Sequence, residues 1–271
     1  MKALGVSIPI GLGDIIYLKG AFEKIKSQYS CIGINFNRNI INSIDRDPKY
    51  NTFLDDIGQL FFSEYPYKLN GNYPFYEHIL IYTNFGILPQ KPELSHLLCK
   101  GNPLQLDSEY IVITTKLRYF PRGTFDSYSP ILWNIVAQLT KKYKLVVLGE
   151  RQVEMNQEYQ HHTSQHIYSI YESIKNNVAS DKLVDLTIPA LGITSPTLVQ
   201  IQQDCLIMNQ AKFIITLGVG GNFCMATAVG NTIGYRVDEE PIADIVFNQE
   251  YPNAVVTKSW DRFIQKLKEY I

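Results

Sequence analysis

Residues 3–36 read ALGVSIPIGLGDIIYLKGAFEKIKSQYSCIGINF, and this stretch decides the fold. A short apolar run at 3–8 passes into Pro-Ile-Gly-Leu-Gly-Asp, the pattern of a buried strand entering a tight loop. From Ile15 the apolar residues Ile15, Ile16, Leu18, Phe22 and Ile25 recur at helical spacing, with Glu23, Lys24 and Lys26 on the other side. Asp14 stands where a helix N-cap belongs, and residues 31–36 supply a second apolar strand. Strand, glycine loop, helix and strand make a βαβ unit, which predicts an α/β protein with parallel sheets.

Further along, 78–85 (HILIYTNF) predicts another strand. Pro89, Pro92, Gly101 and Pro103 then punctuate a polar segment that reads as a linker. After it the alternation restarts with a strand at 110–115, a helix from about Tyr128 to Lys142 and a strand at 144–149 followed by a polar helical stretch. The series continues with a strand-like 183–187, a helix at 197–210, a strand at 212–217, a helix at 222–229 and a strand at 231–237. Trp260, Phe263, Ile264 and Leu267 mark an amphipathic terminal helix. Two successive α/β halves, with a boundary near residues 100–108, follow from this rhythm.

Composition narrows the function classes. With 45% apolar and 19% charged residues among 271, the chain is a folded globular protein. Its formal net charge of −1 gives no global attraction to nucleic acid. Cys31, Cys99, Cys205 and Cys224 are scattered without a CxxC pair, which argues against a disulfide framework or a zinc site. The early apolar run is broken by Pro9, Gly11, Gly13 and Asp14, unlike a signal peptide, and no transmembrane segment is expected. A cytoplasmic location is the expectation.

Three segments could carry chemistry. Gly11-Leu12-Gly13-Asp14 lacks the third glycine of a dinucleotide fingerprint, and a carboxylate there would repel a phosphate. Asp14 therefore suits proton abstraction or hydroxyl binding, or else simple helix capping. Thr114, Thr115, Lys116, Arg118 and Arg122 crowd hydroxyls and cations directly after a strand, as a diphosphate clamp or a solvated basic loop. Gly218, Gly220, Gly221 and Asn222 precede a small-residue helix, as an anion-binding nest or a tightly packed turn. Glu150 ends its strand with a carboxylate suited to ribose hydroxyls or to helix capping. His161, His162 and His166 read as a polar surface loop, and Asp55-Asp56 as a solvent-facing pair.

Assembled, these residues resemble the heptosyltransferase-like family of GT-B glycosyltransferases, glycosyltransferase family nine. Members open with a strand, a small-residue turn ending Gly-Asp and a helix, as GLGDIIYLKGAFEKIKSQY does here. The match continues in a hydroxyl- and cation-tipped strand, a strand ending Gly149-Glu150, and AKFIITLGVGGNFCMATAVGNTIG. The last turn keeps its central glycine and lacks the Asp and His usual in the family.

The resemblance implies two Rossmann-like domains facing across a cleft. Residues 1–105 would form an acceptor-side domain, 106–258 a nucleotide-sugar-binding domain, and 259–271 a helix returning toward the first. It further implies an inverting, metal-independent sugar transferase, with Asp14 as base. Gly13, Thr114, Thr115, Lys116, Arg118, Glu150, Gly218, Gly220, Gly221 and Asn222 would bind the donor. The partners are then a nucleotide-sugar co-substrate and a glycan or other hydroxyl-bearing acceptor, with no further cofactor. A nucleotide-sugar epimerase or hydrolase, and a non-catalytic nucleotide- or glycan-binding protein, are the alternatives.

Overall fold

The computed structural model describes residues 3–8, 12–28, 31–36, 56–63, 67–69, 77–78, 90–98, 104–118, 122–152, 167–188, 198–218, 220–236 and 250–271. Of the expected features, Asp55, His161, His162, His166, the helical stretch after 152 and residues 79–85 of the 78–85 strand lie outside these.

The opening unit forms as expected. Strand β1 (Ala3–Ile8) leads into helix α1 (Leu12–Ile25), and β2 (Cys31–Phe36) pairs parallel with β1. Strands β3 (Tyr67–Leu69) and β4 (Glu77–His78) complete a four-stranded parallel sheet of order β3-β2-β1-β4.

A second, six-stranded parallel sheet follows. It is built from β5 (Tyr110–Thr114), β7 (Lys144–Leu148), β9 (Leu183–Asp185), β10 (Ile214–Leu217), β11 (Thr232–Tyr235) and β12 (Ala254–Thr257). The order is β12-β11-β10-β5-β7-β9. Residues of β5 and β10 are buried throughout, as strands covered on both faces must be. Side chains of β5 and β7 alternate between two apolar clusters. Tyr110, Val112 and Val146 belong to one, Ile111, Ile113 and Val147 to the other.

The first cluster is filled by α4 (Leu198–Gln210) and α5 (Gly221–Val229). It also takes in Ile15, Ile16, Leu18 and Phe22 of α1, so the apolar core runs from the first half of the chain into the second. The other cluster is filled by α2 (Arg122–Leu139), α3 (Tyr171–Asn177) and α6 (Trp260–Lys268). Helix α6 contributes to this second cluster. Phe263, Ile264 and Leu267 pack into the cluster containing α2, and the helix lies on β11, β12 and α2, all within the second half. Trp260, Phe263, Ile264 and Leu267 form the apolar face used there.

Two differences from expectation have local causes. The expected basic loop at 116–118 is instead strand β6 (Lys116–Arg118), paired antiparallel with β8 (Ile167–Ser169) and anchored by fully buried Leu117. Helix α2 starts six residues before the expected Tyr128 and contains Pro130. Proline has no amide to bond the Asp126 carbonyl, and the Ser129 hydroxyl donates to that carbonyl at 3.4 Å instead. Phe125, edge-on to Trp133 and Tyr168, anchors the extra turns.

The expected linker is held fast where it is described. Leu94 and Leu97 are buried, and the Glu93 amide donates to both carboxylate oxygens of Glu23 at 3.0 Å. Glu23 is in turn paired with fully buried Lys19 at 3.2 Å. Lys24 meets Glu250 at 2.9 Å, and the Lys91 amide donates to the Glu250 carbonyl at 3.2 Å. No helix among the described residues is long and apolar enough to cross a membrane.

Candidate active site

The chain passes from β5 to β7 and β9 on one side, while β10, β11 and β12 lie on the other. The strand order therefore reverses between β5 and β10, and open α/β sheets bind ligands outside the carboxyl ends of strands at such a reversal. Both segments singled out in the second half emerge there, after Thr114 and after Leu217.

The two threonines hold this junction together. The Thr114 and Thr216 hydroxyls are 3.0 Å apart, bonding β5 to β10. The Thr115 hydroxyl donates to the Glu150 carbonyl at 2.8 Å, and its own carbonyl accepts from the Ile170 amide. Both residues are essentially inaccessible, so these hydroxyls act as struts within the protein. Lys116 and Glu150, assigned from sequence to different parts of a donor, are paired at 3.2 Å and partly exposed. The Arg118 backbone pairs with Ile167 in the β6–β8 ladder.

Three glycines shape the floor. Gly149, Gly218 and Gly220 have φ of 109°, 72° and 126°, conformations that side chains oppose. At Gly149 a Cβ would lie 2.6 Å from the Thr115 hydroxyl oxygen and 3.2 Å from Asn222 Nδ2. Thr115, Gly149 and Asn222 thus converge, the first two from the ends of β5 and β7 and the third from the first turn of α5. Gly149→Ala should lower stability by roughly 2–3 kcal/mol, through the strained φ and the crowding of Thr115. Urea unfolding checks this. An unchanged midpoint would mean that the loops shift freely and the convergence is not tight.

Gly220 is the N-cap of α5 and, having no side chain, offers no acceptor to the amides of the first turn. The start of α1 meets it there. A Cβ on Gly13 would lie 3.0 Å from Cys224 Sγ, and one on Gly221 would lie 3.1 Å from Leu12 Cβ. Two helix N-termini therefore abut; α1 carries Asp14 in its first turn and α5 no acidic residue in its own, so the positive end of α5 is the one left for an anion. One turn on, Tyr17 hydrogen-bonds Cys224, and burial pushes its phenol well above the ordinary range. Helix α1 begins at Leu12, which makes Asp14 its third residue, inside the first turn, rather than the N-cap.

Sequence reading did not single out Arg236, the buried cation just beyond β11, although a basic residue at a strand's carboxyl end was the available signal. Nor did it single out the group around Asp185 at the end of β9. Burial raises that carboxyl's pKa, but bonds from Thr187 at 2.5 and 3.0 Å and from the Tyr171 hydroxyl at 2.7 Å outweigh it and hold the group below the usual carboxylate range. A cavity of about 680 Å³ opens at the opposite edge of the sheet, beside Glu109, Lys212, Asn231 and Tyr270 at the strands' amino ends. It lies away from the strand-order reversal, and we assign the site by topology and chemistry rather than by concavity.

The geometry defines a class: an α/β fold with a six-stranded parallel sheet flanked by helices and a carboxyl-edge site built on glycine turns. This fold is similar to that of a solved glycosyltransferase. The structure of E. coli ADP-heptose LPS heptosyltransferase II aligns over 100% of this chain and 98% of its own, with a TM-score of 0.53 at 12% identity. A glycosyl transferase family 9 structure from Veillonella parvula DSM 2008 aligns over 99% and 91%, with a TM-score of 0.49 at 12% identity. The iron-containing dodecameric glycosyltransferase TibC from enterotoxigenic E. coli H10407 aligns over 97% of this chain at 13% identity and a TM-score of 0.48. This chain spans 67% of TibC. No protein-family model and no curated protein sequence matches. The heptosyltransferase resemblance read from the sequence thus extends to the backbone.

Proposed function

We propose that this chain is an inverting glycosyltransferase that moves a sugar from a nucleoside-diphosphate sugar to an acceptor hydroxyl. The observation that carries the reading is the meeting of the α1 and α5 N-termini at the reversal between β5 and β10. Residues 1–105 act as the acceptor-side lobe and 106–258 as the donor lobe. Asp14, in the first turn of α1, takes the acceptor's hydroxyl proton. The acceptor oxygen bonds to the anomeric carbon as the bond from that carbon to the diphosphate oxygen breaks. The nucleoside diphosphate leaves with the electron pair, and its charge falls on the amides near Gly220–Asn222 and on Lys116 and Arg118. Glu150, released from Lys116 by the incoming phosphate, turns to the ribose hydroxyls. These cations and helix ends supply the positive charge that a metal would otherwise bring.

The test is turnover of a nucleotide-sugar panel with and without hydroxyl acceptors, in the presence and absence of a chelator. Acceptor-dependent nucleotide release that survives chelation supports the reading. Acceptor-independent release would indicate a hydrolase or epimerase, and saturable binding without turnover a binding protein. Changing Lys116 and Arg118 together to Ala should weaken donor binding by roughly 1.5–3 kcal/mol or more, the worth of one or two hydrogen bonds to a charged group. Calorimetric titration of the donor measures it, and an unaltered affinity would move the diphosphate elsewhere.

A further inference from the structure

Glu150 stands just beyond β7, and the peptide that carries it is held from the end of β5, from β8 and from the end of β9. The Ile188 amide donates to the Gly149 carbonyl at 2.9 Å, and the Arg151 amide donates back to the Ile188 carbonyl at 2.9 Å. Between them the Glu150 carbonyl accepts from two hydroxyls, Thr115 at 2.8 Å and Ser169 at 2.6 Å. Ser169 Oγ also accepts from the Tyr171 amide at 3.2 Å, so its one hydrogen is committed to Glu150. On the other side Arg151 Nε donates to Thr187 Oγ1 at 2.9 Å, and that hydroxyl gives its own hydrogen to Asp185 Oδ1 at 2.5 Å. Arg151 Nη2 lies 3.7 Å from Asp185 Oδ2.

Strand β7 does not need these bonds to keep its place. Leu145, Val146, Val147 and Leu148 are buried and laddered to β5 and β9, and the additional bonds begin where the ladders stop. What they fix is the one peptide there that bears a carboxylate. The carboxylate itself stays displaceable, since it is partly exposed and paired at 3.2 Å with a partly exposed Lys116. A fixed backbone beneath a displaceable acceptor suits recognition of a neutral diol. Hydroxyls bring no long-range attraction, so their binding depends on geometry set in advance. The two oxygens of one carboxylate can accept from two vicinal hydroxyls.

We propose that Ser169 and Thr187 are positioning residues that hold the Glu150 carboxylate where it accepts from both hydroxyls of a ribose, so that the site favours a nucleoside diphosphate whose ribose is complete. The inference rests on the donor-site reading given above. ADP, GDP and UDP, each beside its 2′,3′-dideoxy counterpart, are titrated by calorimetry into the full chain. For the nucleotide that binds best, the parent should bind the dideoxy form roughly tenfold more weakly or worse, the worth of hydrogen bonds to a charged group. Ser169→Ala and Thr187→Val should each weaken the ribose form roughly three- to tenfold, as for one neutral hydrogen bond, and the dideoxy form by about twofold or less. Thr187→Ser keeps the hydroxyl and should bind as the parent does. Equal losses on both forms, loss on neither, or a Ser variant as weak as the Val variant overturns the positioning role. If only one of Ser169→Ala and Thr187→Val folds by circular dichroism, that one decides. If neither folds, the bonds serve the fold alone and the proposal falls. A parent that binds ribose and dideoxy forms equally overturns it too, and leaves the phosphate site standing. A parent that binds none of the three nucleotides defeats the donor-site reading itself.

Discussion

Asp14→Asn is expected to slow sugar transfer roughly 10²–10⁴-fold, the usual contribution of a general base, with donor affinity little changed. The substitution is close to isosteric and removes only the capacity to accept a proton. Because α1 begins at Leu12, Asp14 is not the N-cap, the position whose loss typically costs about 1 kcal/mol. What the helix loses is the favourable placement of a negative charge near its N-terminus, typically about 0.3–1 kcal/mol. Thermal melting should therefore shift slightly while turnover collapses. Steady-state kinetics beside donor titration separates the two effects. Near-normal turnover would return Asp14 to helix electrostatics and leave the chemistry without its base.

The second large effect is on stability and its pH dependence. Asp204 of α4 is 9% exposed, accepts a 3.0 Å bond from Gln200, and is pushed by burial up to about 7. A carboxyl raised from 3.8 to about 7 on folding binds its proton more tightly in the native state. Between those pH values the folded protein holds more protons than the unfolded one, so this group's contribution falls as pH rises from about 4 to 7. Below that window the penalty is absent; above it, the penalty is fully present, on the order of 4 kcal/mol for about three units. Asp204→Asn can keep the bond from Gln200 without the charge. It should match the parent at pH 4 and exceed it increasingly up to pH 8. Urea midpoints of the two proteins across that range measure the difference directly. A constant difference from pH 4 to 8 would mean that Asp204 ionises as easily inside the protein as outside.

Much of the architecture was legible because its signals are local. Apolar runs such as Tyr110–Thr114 and Ile214–Leu217 are read as buried strands since only a doubly covered sheet tolerates them. Gly218 and Gly220 were legible for a similar reason, positive φ being a demand that glycine alone meets cheaply. What escaped was non-local or brief. Strand β12 carries only Ala254, Val255 and Val256 before Thr257, with no longer apolar run around them, and α3 buries only Tyr171 and Ile174 of its seven residues. Lys116 looked like a loop cation because its partners, Ser169 across the ladder and Glu150, are far away in sequence. Pro130 hid the true start of α2, since the serine that relieves its carbonyl acts through the folded helix. The two threonine hydroxyls pointed to ligand binding by position, and only their bonds to Thr216 and Glu150 reveal them as struts.

The seat of α1 against α5 has a consequence for how the chain reaches this state. Leu12 and Gly13 leave the ribosome before their partners Gly221 and Cys224, which come about 200 positions later. At roughly 5–20 residues per second, α1 waits on the order of 10–40 s for the surface that covers it. During that interval Ile15, Ile16 and Phe22 lack their final neighbours from α5. Contacts of such long sequence separation close late and slow the search for the native topology. The arrangement that brings two helix ends to one point thus leaves an apolar helix face uncovered in the nascent chain until α5 is synthesised.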